Sequence, residues 1–358
     1  MKILINALSG NGDALMFSPS LRLLKEKIPD AQIDMLVMFK SVKEMYEHSP
    51  FLNNIYHVNF LKQSKFKSVK ELFTLRKNNY DVSINVYPSN RTEYNLVNSF
   101  LGAKKRLGHH YTHSDVLRLE NLNNVTADEI PNRHNVLQNF DLVKTIISAD
   151  EKEVKGLEIF LSEDDKRKSE QWLKENELAG KTLVGFHAGS AVLKNHIHKR
   201  WDKKKFAELG RLLREKYSAK ILLFGNEFDL NLEIDEMLDG QGVLASTSNY
   251  MDSMARMRFC NLFVSNDSAF LHSAAAFKIP TVGIFGYTNA QELFPWGTRH
   301  LIVRIELDCS PCFYNSPKPV QCLWTGKDEY KCMKLITVED VFEACRILLE
   351  KTTLPIQN

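Results

Sequence analysis

No stretch of the 358-residue chain approaches the ~20 consecutive apolar residues that a bilayer-spanning helix needs, which excludes a helical membrane bundle. Cysteine is scarce: six over this length are too few for a disulfide scaffold. Charge of one sign is missing too. Lys plus Arg number 47 and Asp plus Glu 44, for a net charge of +3, so the concentrated basic footprint of a nucleic-acid binder is absent. The mild excess suits an anionic small molecule or a membrane surface. There is no low-complexity tract and no short-period repeat. The apolar start at residues 1–8 is broken by Asn6 and followed by Gly10-Asn11-Gly12-Asp13, unlike a secretory h-region with a small-residue cleavage site. A reducing, cytoplasmic setting is therefore expected.

What is present is an ordinary globular composition, 44% hydrophobic and 25% charged, at a length that predicts two domains. Short apolar runs alternate with segments of helical period. Residues 2–8, 33–39 and 81–86 read as buried strands and 14–27 as a helix. After the charged stretch 149–155 the pattern restarts, with helices over 163–176, 203–216 and 268–277 and strands over 182–187, 220–224, 261–265 and 281–285. Such alternation predicts an α/β protein with two doubly wound parallel sheets, here divided as 1–160 and 161–358. Doubly wound sheets bind ligands outside the carboxyl ends of their strands. The loops after Leu8, Phe186, Phe224, Val264 and Phe285 are thus where chemistry is expected, and each carries Gly, Asp, Ser or His.

Four motifs occupy or follow those loops. Ser9-Gly10-Asn11-Gly12-Asp13-Ala14 is a strand-to-helix turn whose glycines permit close ligand approach. As a dinucleotide fingerprint it is incomplete, with Leu15 at the third glycine position, which weighs against an NAD-dependent oxidoreductase. Asp13 reads either as a helix cap or as a carboxylate accepting a proton from a substrate hydroxyl. His187-Ala188-Gly189-Ser190 with Lys199-Arg200-Trp201-Asp202 suits a phosphate-facing loop with cationic partners, or a solvated basic loop capped by Asp202. Ser265-Asn266-Asp267-Ser268-Ala269-Phe270-Leu271-His272 leads into a helix whose free N–H groups would favour a pyrophosphate; Asp267 and Ser268 read equally as an N-cap pair and His272 as a core histidine. Cys309-Ser310-Pro311-Cys312, with Cys322 and Cys332, could close a tetrahedral thiolate site for structural zinc or iron, or be four reduced thiols in an irregular loop. Lys62, Lys65, Lys67, Lys70, Arg76 and Lys77 gather with aromatic residues, as a solvated face or a docking point for an anionic acceptor or membrane headgroups.

Taken together and in order, these motifs resemble the heptosyltransferase-type glycosyltransferases of family 9, which build the inner core of lipopolysaccharide. Gly10-Asn11-Gly12-Asp13-Ala14 with Ser18-Pro19 resembles the family's opening motif, and His187-Ala188-Gly189-Ser190 with Lys199-Arg200-Trp201 its Pro-Gly-Ser … Lys-Arg-Trp segment. The run from Ser265 to His272, continuing through Pro280 to Gly286, resembles its most specific signature, and the cysteine segment 309–332 one found in many members. The resemblance implies a GT-B fold of two Rossmann-like domains facing a cleft: 1–160 for an anionic glycolipid or glycan acceptor, 161–358 for a nucleotide-sugar donor such as ADP-heptose. It implies an inverting transfer without a catalytic cofactor, on the cytoplasmic side and peripheral to the inner membrane. Asp13 would be the catalytic base, and Ser190, Lys199, Glu227, Asp267, Ser268, Ala269 and His272 the donor site. The final helix, about 338–349, would pack back toward the first domain. A sugar-nucleotide-binding protein without turnover stays open as the alternative. This chain departs from the family in having His187-Ala188 where a proline usually precedes Gly-Ser and Ala269 where a glycine is usual, and in carrying the long insertion 192–198.

Overall fold

The computed structural model describes residues 1–112, 117–316 and 318–350. It divides into two compact units, Met1–Phe160 with Asn315–Pro317, and Leu161–Tyr314 with Lys318–Asn358. The first unit runs β1 (Lys2–Ala7), α1 (Asn11–Leu15), α2 (Ser18–Lys27), β2 (Gln32–Val37), α3 (Lys40–Tyr46), β3 (Asn54–His57), α4 (Lys65–Arg76), β4 (Val82–Asn85), α5 (Thr92–Phe100), β5 (Lys105–His110), β6 (Val125–Asp128) and α6 (Asn135–Val143). Its strands form one parallel sheet in the order β3-β2-β1-β4-β5-β6. The second unit runs α7 (Glu163–Glu175), β7 (Leu183–His187), α8 (Lys203–Tyr217), β8 (Lys220–Leu223), α9 (Phe228–Met237), β9 (Gly242–Leu244), α10 (Tyr250–Met257), β10 (Leu262–Asn266), α11 (Ala269–Ala276), β11 (Thr281–Ile284), α12 (Ala290–Leu293), β12 (His300–Val303), α13 (Lys331–Lys334) and α14 (Val338–Glu350). Its sheet is also parallel, in the order β12-β11-β10-β7-β8-β9.

The central strands are apolar runs because helices cover both faces of each sheet: β4, β7, β10 and β11 are buried at every residue. In each unit the chain starts from a middle strand, winds outward, and returns to wind the other way. The order reverses between β1 and β4 in one sheet and between β7 and β10 in the other. At such a reversal the flanking loops diverge and leave a crevice at the carboxyl edge.

One expectation is corrected. The helix over 14–27 is in fact two, α1 and α2, separated at Met16 and Phe17. Pro19 sits in the first turn of α2, where its missing N–H costs nothing; inside a continuous helix its ring would strike the carbonyl four residues back. The final helix packs on its own unit: α14 buries Val338, Val341, Ala344, Cys345 and Leu348 in the core that holds Phe186, Phe206 and Val264.

The first unit carries a buried polar lattice under the carboxyl ends of β1 and β4. The Asn6 amide donates to Asn85 (3.2 Å) and Asn98 (2.9 Å), Asn85 to Asn95 (3.0 Å), Asn98 to Asn123 (2.8 Å) and Asn123 to Asn95 (2.9 Å). Asn85, Asn95, Asn98 and Asn123 each both donate and accept, and Asn6 donates twice, so these buried side chains fasten α5 to the sheet. Gly108 in β5 makes room for it, since a Cβ there would lie 2.3 Å from the Asn123 amide nitrogen. Asn98→Ala strips partners from Asn6 and Asn123 at once, and we expect it to destabilise the first unit by about 2 kcal/mol. Urea unfolding followed by far-UV circular dichroism measures this. Tryptophan fluorescence is the control, because all four tryptophans lie in the second unit.

Candidate functional site

In the second unit the loops after β7, β10 and β11 meet on one buried carboxylate. Asp267, directly after β10, is 5% exposed. It accepts from Lys199 Nζ (2.6 Å) and from Thr288 Oγ1 (2.8 Å), on the loop after β11. Burial pushes its pKa up, but the Lys199 charge and hydrogen bond, with smaller help from His272 and Thr288, outweigh that and leave it below the ordinary value. Asp267 is therefore an ionised partner for Lys199.

Ser268 stands at the N-cap of α11 and forms no side-chain cap, so the helix offers its first-turn N–H groups, that of Ala269 included, without a capping oxygen. Ser268 thus holds the N-cap position that the sequence left open, but its side chain accepts no cap hydrogen bond. The Ser268 hydroxyl instead meets His187 Nδ1 at 2.9 Å and Ser265 Oγ at 3.1 Å. His272, one turn into α11, is buried, and its Nδ1 has no hydrogen-bond partner among the described residues. Burial, with a contribution from Lys199, lowers its pKa to about 4 against the opposing pull of Asp267, so the ring is neutral near pH 7.

The loop after β7 is held from several directions. The Ser190 hydroxyl donates to the His196 carbonyl (2.8 Å) and accepts from Arg200 Nε (3.2 Å). The Ser190 N–H donates to Glu227 Oε1 at 3.1 Å. Glu227 also faces Arg200 Nη2 at 3.4 Å and His187 Nε2 at 3.7 Å. Burial raises the Glu227 pKa, and the His187 hydrogen bond and charge, with Arg200, bring it below the usual glutamate value. Gly189 is obligatory here, because a Cβ would sit 2.3 Å from the Glu227 carboxyl. Asn266 closes the arrangement by donating to the Ala188 (2.8 Å) and Gly189 (3.2 Å) carbonyls and accepting from Trp201 N (3.0 Å). Asp202 caps α8 through Lys204 N, as the sequence suggested.

Of the seven expected donor-site residues, Ser190, Lys199, Glu227, Asp267 and Ser268 lie on the segments that follow the strands at the carboxyl edge of this sheet, and Ala269 and His272 lie at the start of α11. The sequence reading named Arg200 as a cationic partner beside Lys199 but passed over Thr288, the role of Asn266 and the bridging role of His187. Thr288 was within reach of the carboxyl-edge rule, since it follows β11; His187 showed itself only as a departure from a proline.

The insertion 192–198 is a kinked 3-10 turn, with Lys194 and Asn195 left-handed, and it is anchored rather than loose. His196 stacks on Tyr287 and meets its hydroxyl at 3.1 Å, while His198 stacks on Tyr330 with ring centroids 4.0 Å apart. Tyr287 and Tyr330 in turn line a cavity together with Cys309, Cys312, Cys322 and Cys332. The structure therefore gathers the four cysteines. Among the described residues, however, no three His, Cys, Asp or Glu side chains form a set that could hold a metal ion. Burial first, and the neighbouring cysteines second, push Cys312 up and Cys332 to about 11, so both are protonated thiols in this arrangement. Cys322 accepts from Tyr330 N at 3.2 Å. Cys260 and Cys345 are buried with pKa values raised by burial.

In the first unit Asp13 is half-buried, in the first turn of α1 just past β1. The N-cap of that turn is Gly10, so Asp13 is not the cap; it adds negative charge to the helix start. Tyr46 and Tyr94 brace the turn by donating to the carbonyls of Ala14 (2.6 Å) and Leu8 (3.0 Å).

Two doubly wound parallel α/β units with polar, charge-bearing loops at their strand-order reversals define the GT-B class of glycosyltransferase folds. The model of glycosyltransferase family 9 (heptosyltransferase) matches residues 70–322, and the chain belongs to that family. It is 26% identical, over 99% of its length and the whole of the relative, to lipooligosaccharide heptosyltransferase 2 of Campylobacter jejuni. Among solved structures it resembles a family 9 glycosyl transferase from Veillonella parvula, with a TM-score of 0.76, 19% identity, and coverage of 98% of this chain and 97% of that one. It also resembles the ADP-heptose lps heptosyltransferase II of E. coli, with a TM-score of 0.72, 22% identity, and coverage of 98% and 99%.

The buried neutral His272 makes a pH prediction. Between its unfolded value near 6.5 and its folded value of about 4 the unfolded chain binds a proton that the folded chain does not. Stability falls as pH drops through that window, by about 1.4 kcal/mol per pH unit for this one group. Urea unfolding by tryptophan fluorescence from pH 7 to pH 4 should show the slope, and His272→Gln should make it shallower by that amount. An unchanged slope would mean that His272 is charged in the folded state.

Proposed function

We propose that the chain transfers a heptose from ADP-heptose to a lipopolysaccharide- or lipooligosaccharide-core acceptor, with inversion at the anomeric carbon. The observation that carries the reading is the donor-side arrangement. An uncapped helix start, the Lys199 ammonium and a buried, unpartnered imidazole nitrogen on His272 converge where the strand order reverses. An uncapped α-helix N-terminus attracts a phosphate, and Lys199 supplies the cation. The names of the Campylobacter and E. coli relatives support the sugar and the acceptor class.

In this mechanism the second unit binds the donor. Ser190, Lys199 and the first turn of α11 hold the diphosphate, His272 hydrogen-bonds the donor near its sugar end, and Glu227 reaches the ribose. Asp13 of the first unit is the base for the acceptor. The acceptor hydroxyl oxygen bonds to the anomeric carbon, the bond from that carbon to the diphosphate oxygen breaks, and ADP leaves with the electron pair. The hydroxyl proton passes to Asp13. Charge grows on the leaving diphosphate as the bond lengthens, so groups preorganised around it lower the barrier. A nucleotide-activated donor fits a reaction on the cytoplasmic side of the membrane.

The test is ADP release from ADP-heptose in the presence of a heptose-deficient lipopolysaccharide core. Asp13→Asn is expected to lower kcat by roughly 10²–10⁴ while ADP affinity, read by calorimetry, stays unchanged. Lys199→Ala is expected to weaken ADP binding and to lower kcat by about 10². An Asp13→Asn protein at full rate would overturn the assignment of the base. A wild-type protein that binds ADP-heptose but releases no ADP with any acceptor would favour a binding protein.

A further inference from the structure

Helix α4 has two apolar faces, and the core uses one. Ser68, Leu72 and Leu75 are buried, the two leucines packing with Leu4, Leu36 and Val58. Phe66, Val69 and Phe73 recur at i, i+3 and i+7, on a face that at 3.6 residues per turn centres roughly 125° away from the buried one. Much of that second face is open to solvent: Phe66 is 82% exposed, Leu61 just before the helix 66%, and Phe73, which meets the Phe100 ring edge-on with centroids 4.8 Å apart, 52%. Contiguous exposed aromatic surface of this kind is unfavourable in water and marks an interaction site.

The charge around the stripe selects the partner. Lys65 and Lys70 flank it on the two sides of the helix, and Lys62 and Lys67 extend the rim; all four are exposed. Residues 61–77 carry six basic side chains against one acid, Glu71, which already accepts from Gln63 at 2.8 Å. A second copy of the same face would set lysines against lysines, so pairing of this patch with itself is opposed. A surface that presents phosphate oxygens over an apolar interior matches both features. The rings enter the acyl boundary while the long lysine side chains reach back to the headgroups.

We propose that the Phe66–Phe73 face of α4 docks on an anionic phospholipid bilayer. The helix follows β3, so its first turn lies at the carboxyl edge of the sheet, the edge that also carries the Asp13 turn. A lipid-anchored acceptor would then reach that edge without leaving the membrane. Only this last consequence rests on the proposed transfer reaction; the docking stands on the helix alone.

Co-sedimentation of the full chain with vesicles tests it, comparing phosphatidylcholine alone with equal parts phosphatidylcholine and phosphatidylglycerol. Binding is expected on the mixed vesicles and to be at least tenfold weaker on neutral ones. Phe66→Ser and Phe73→Ser should each weaken it about tenfold, and Lys65→Ser or Lys70→Ser about fivefold. Leu335→Ser, an equally exposed apolar side chain in the second unit, should leave it unchanged. All variants should keep the wild-type circular dichroism, and Phe66→Ser and Phe73→Ser the same ADP release with a detergent-solubilised acceptor, which separates this proposal from the transferase reading. Equal binding to neutral vesicles, undiminished binding by the Phe66→Ser/Phe73→Ser double variant, or a wild-type dimer in light scattering that this variant dissociates would each overturn it.

Discussion

Removing the Asp267 carboxylate from water organises the loops at the carboxyl edge of the second sheet. An ionised group so deeply buried persists only with a charge partner and hydrogen bonds, and each of its partners comes from a different loop: Lys199 from the segment after β7, Thr288 from the one after β11. The ion pair need not add net stability, since desolvating both groups offsets much of their attraction. Its effect is geometric. Three loops far apart in the chain are held in register, and the start of α11 is left clear of side-chain caps beside them.

A second layer supports that register. Ser190 is tied to the backbone of the 192–198 insertion, and the histidines of the insertion stack on Tyr287 and Tyr330, which belong to the wall of the cysteine-lined cavity. The cysteine segment therefore supports this loop through aromatic packing and through Val320, whose N–H donates to the Lys194 carbonyl and whose carbonyl accepts from the Asn195 amide, whatever its thiols bind. His187 extends the same logic toward the loop after β8 by lying between Ser268 and Glu227. A proline at that position would have no side-chain nitrogen with which to link them.

Much of the architecture was legible because burial on two faces writes itself into a strand as an unbroken apolar run. β1, β2, β4, β7, β8, β10 and β11 were all anticipated within a residue or two. The outer strands were not. β5, Lys105–His110, is basic and histidine-rich, and β6, Val125–Asp128, alternates with polar residues; each is a strand only because a neighbour pairs with it. The break between α1 and α2 was signalled by Pro19 and read past.

The candidate site divides in the same way. The sequence alone determined which loops gather polar and charged groups on one edge, because parallel strands joined by helical crossovers put every strand-to-helix turn there, and the residues in those turns are adjacent in the chain. It also determined the family, through motifs in a characteristic order. Only the tertiary structure decided the partners: that Lys199 sits on Asp267, that Glu227 receives the Ser190 N–H, that five asparagines interlock beneath α5, and that α4 turns an aromatic face outward. Those pairings join residues separated by tens of positions. Their energies depend on distance and exclusion of water, which the order of residues along a chain does not record.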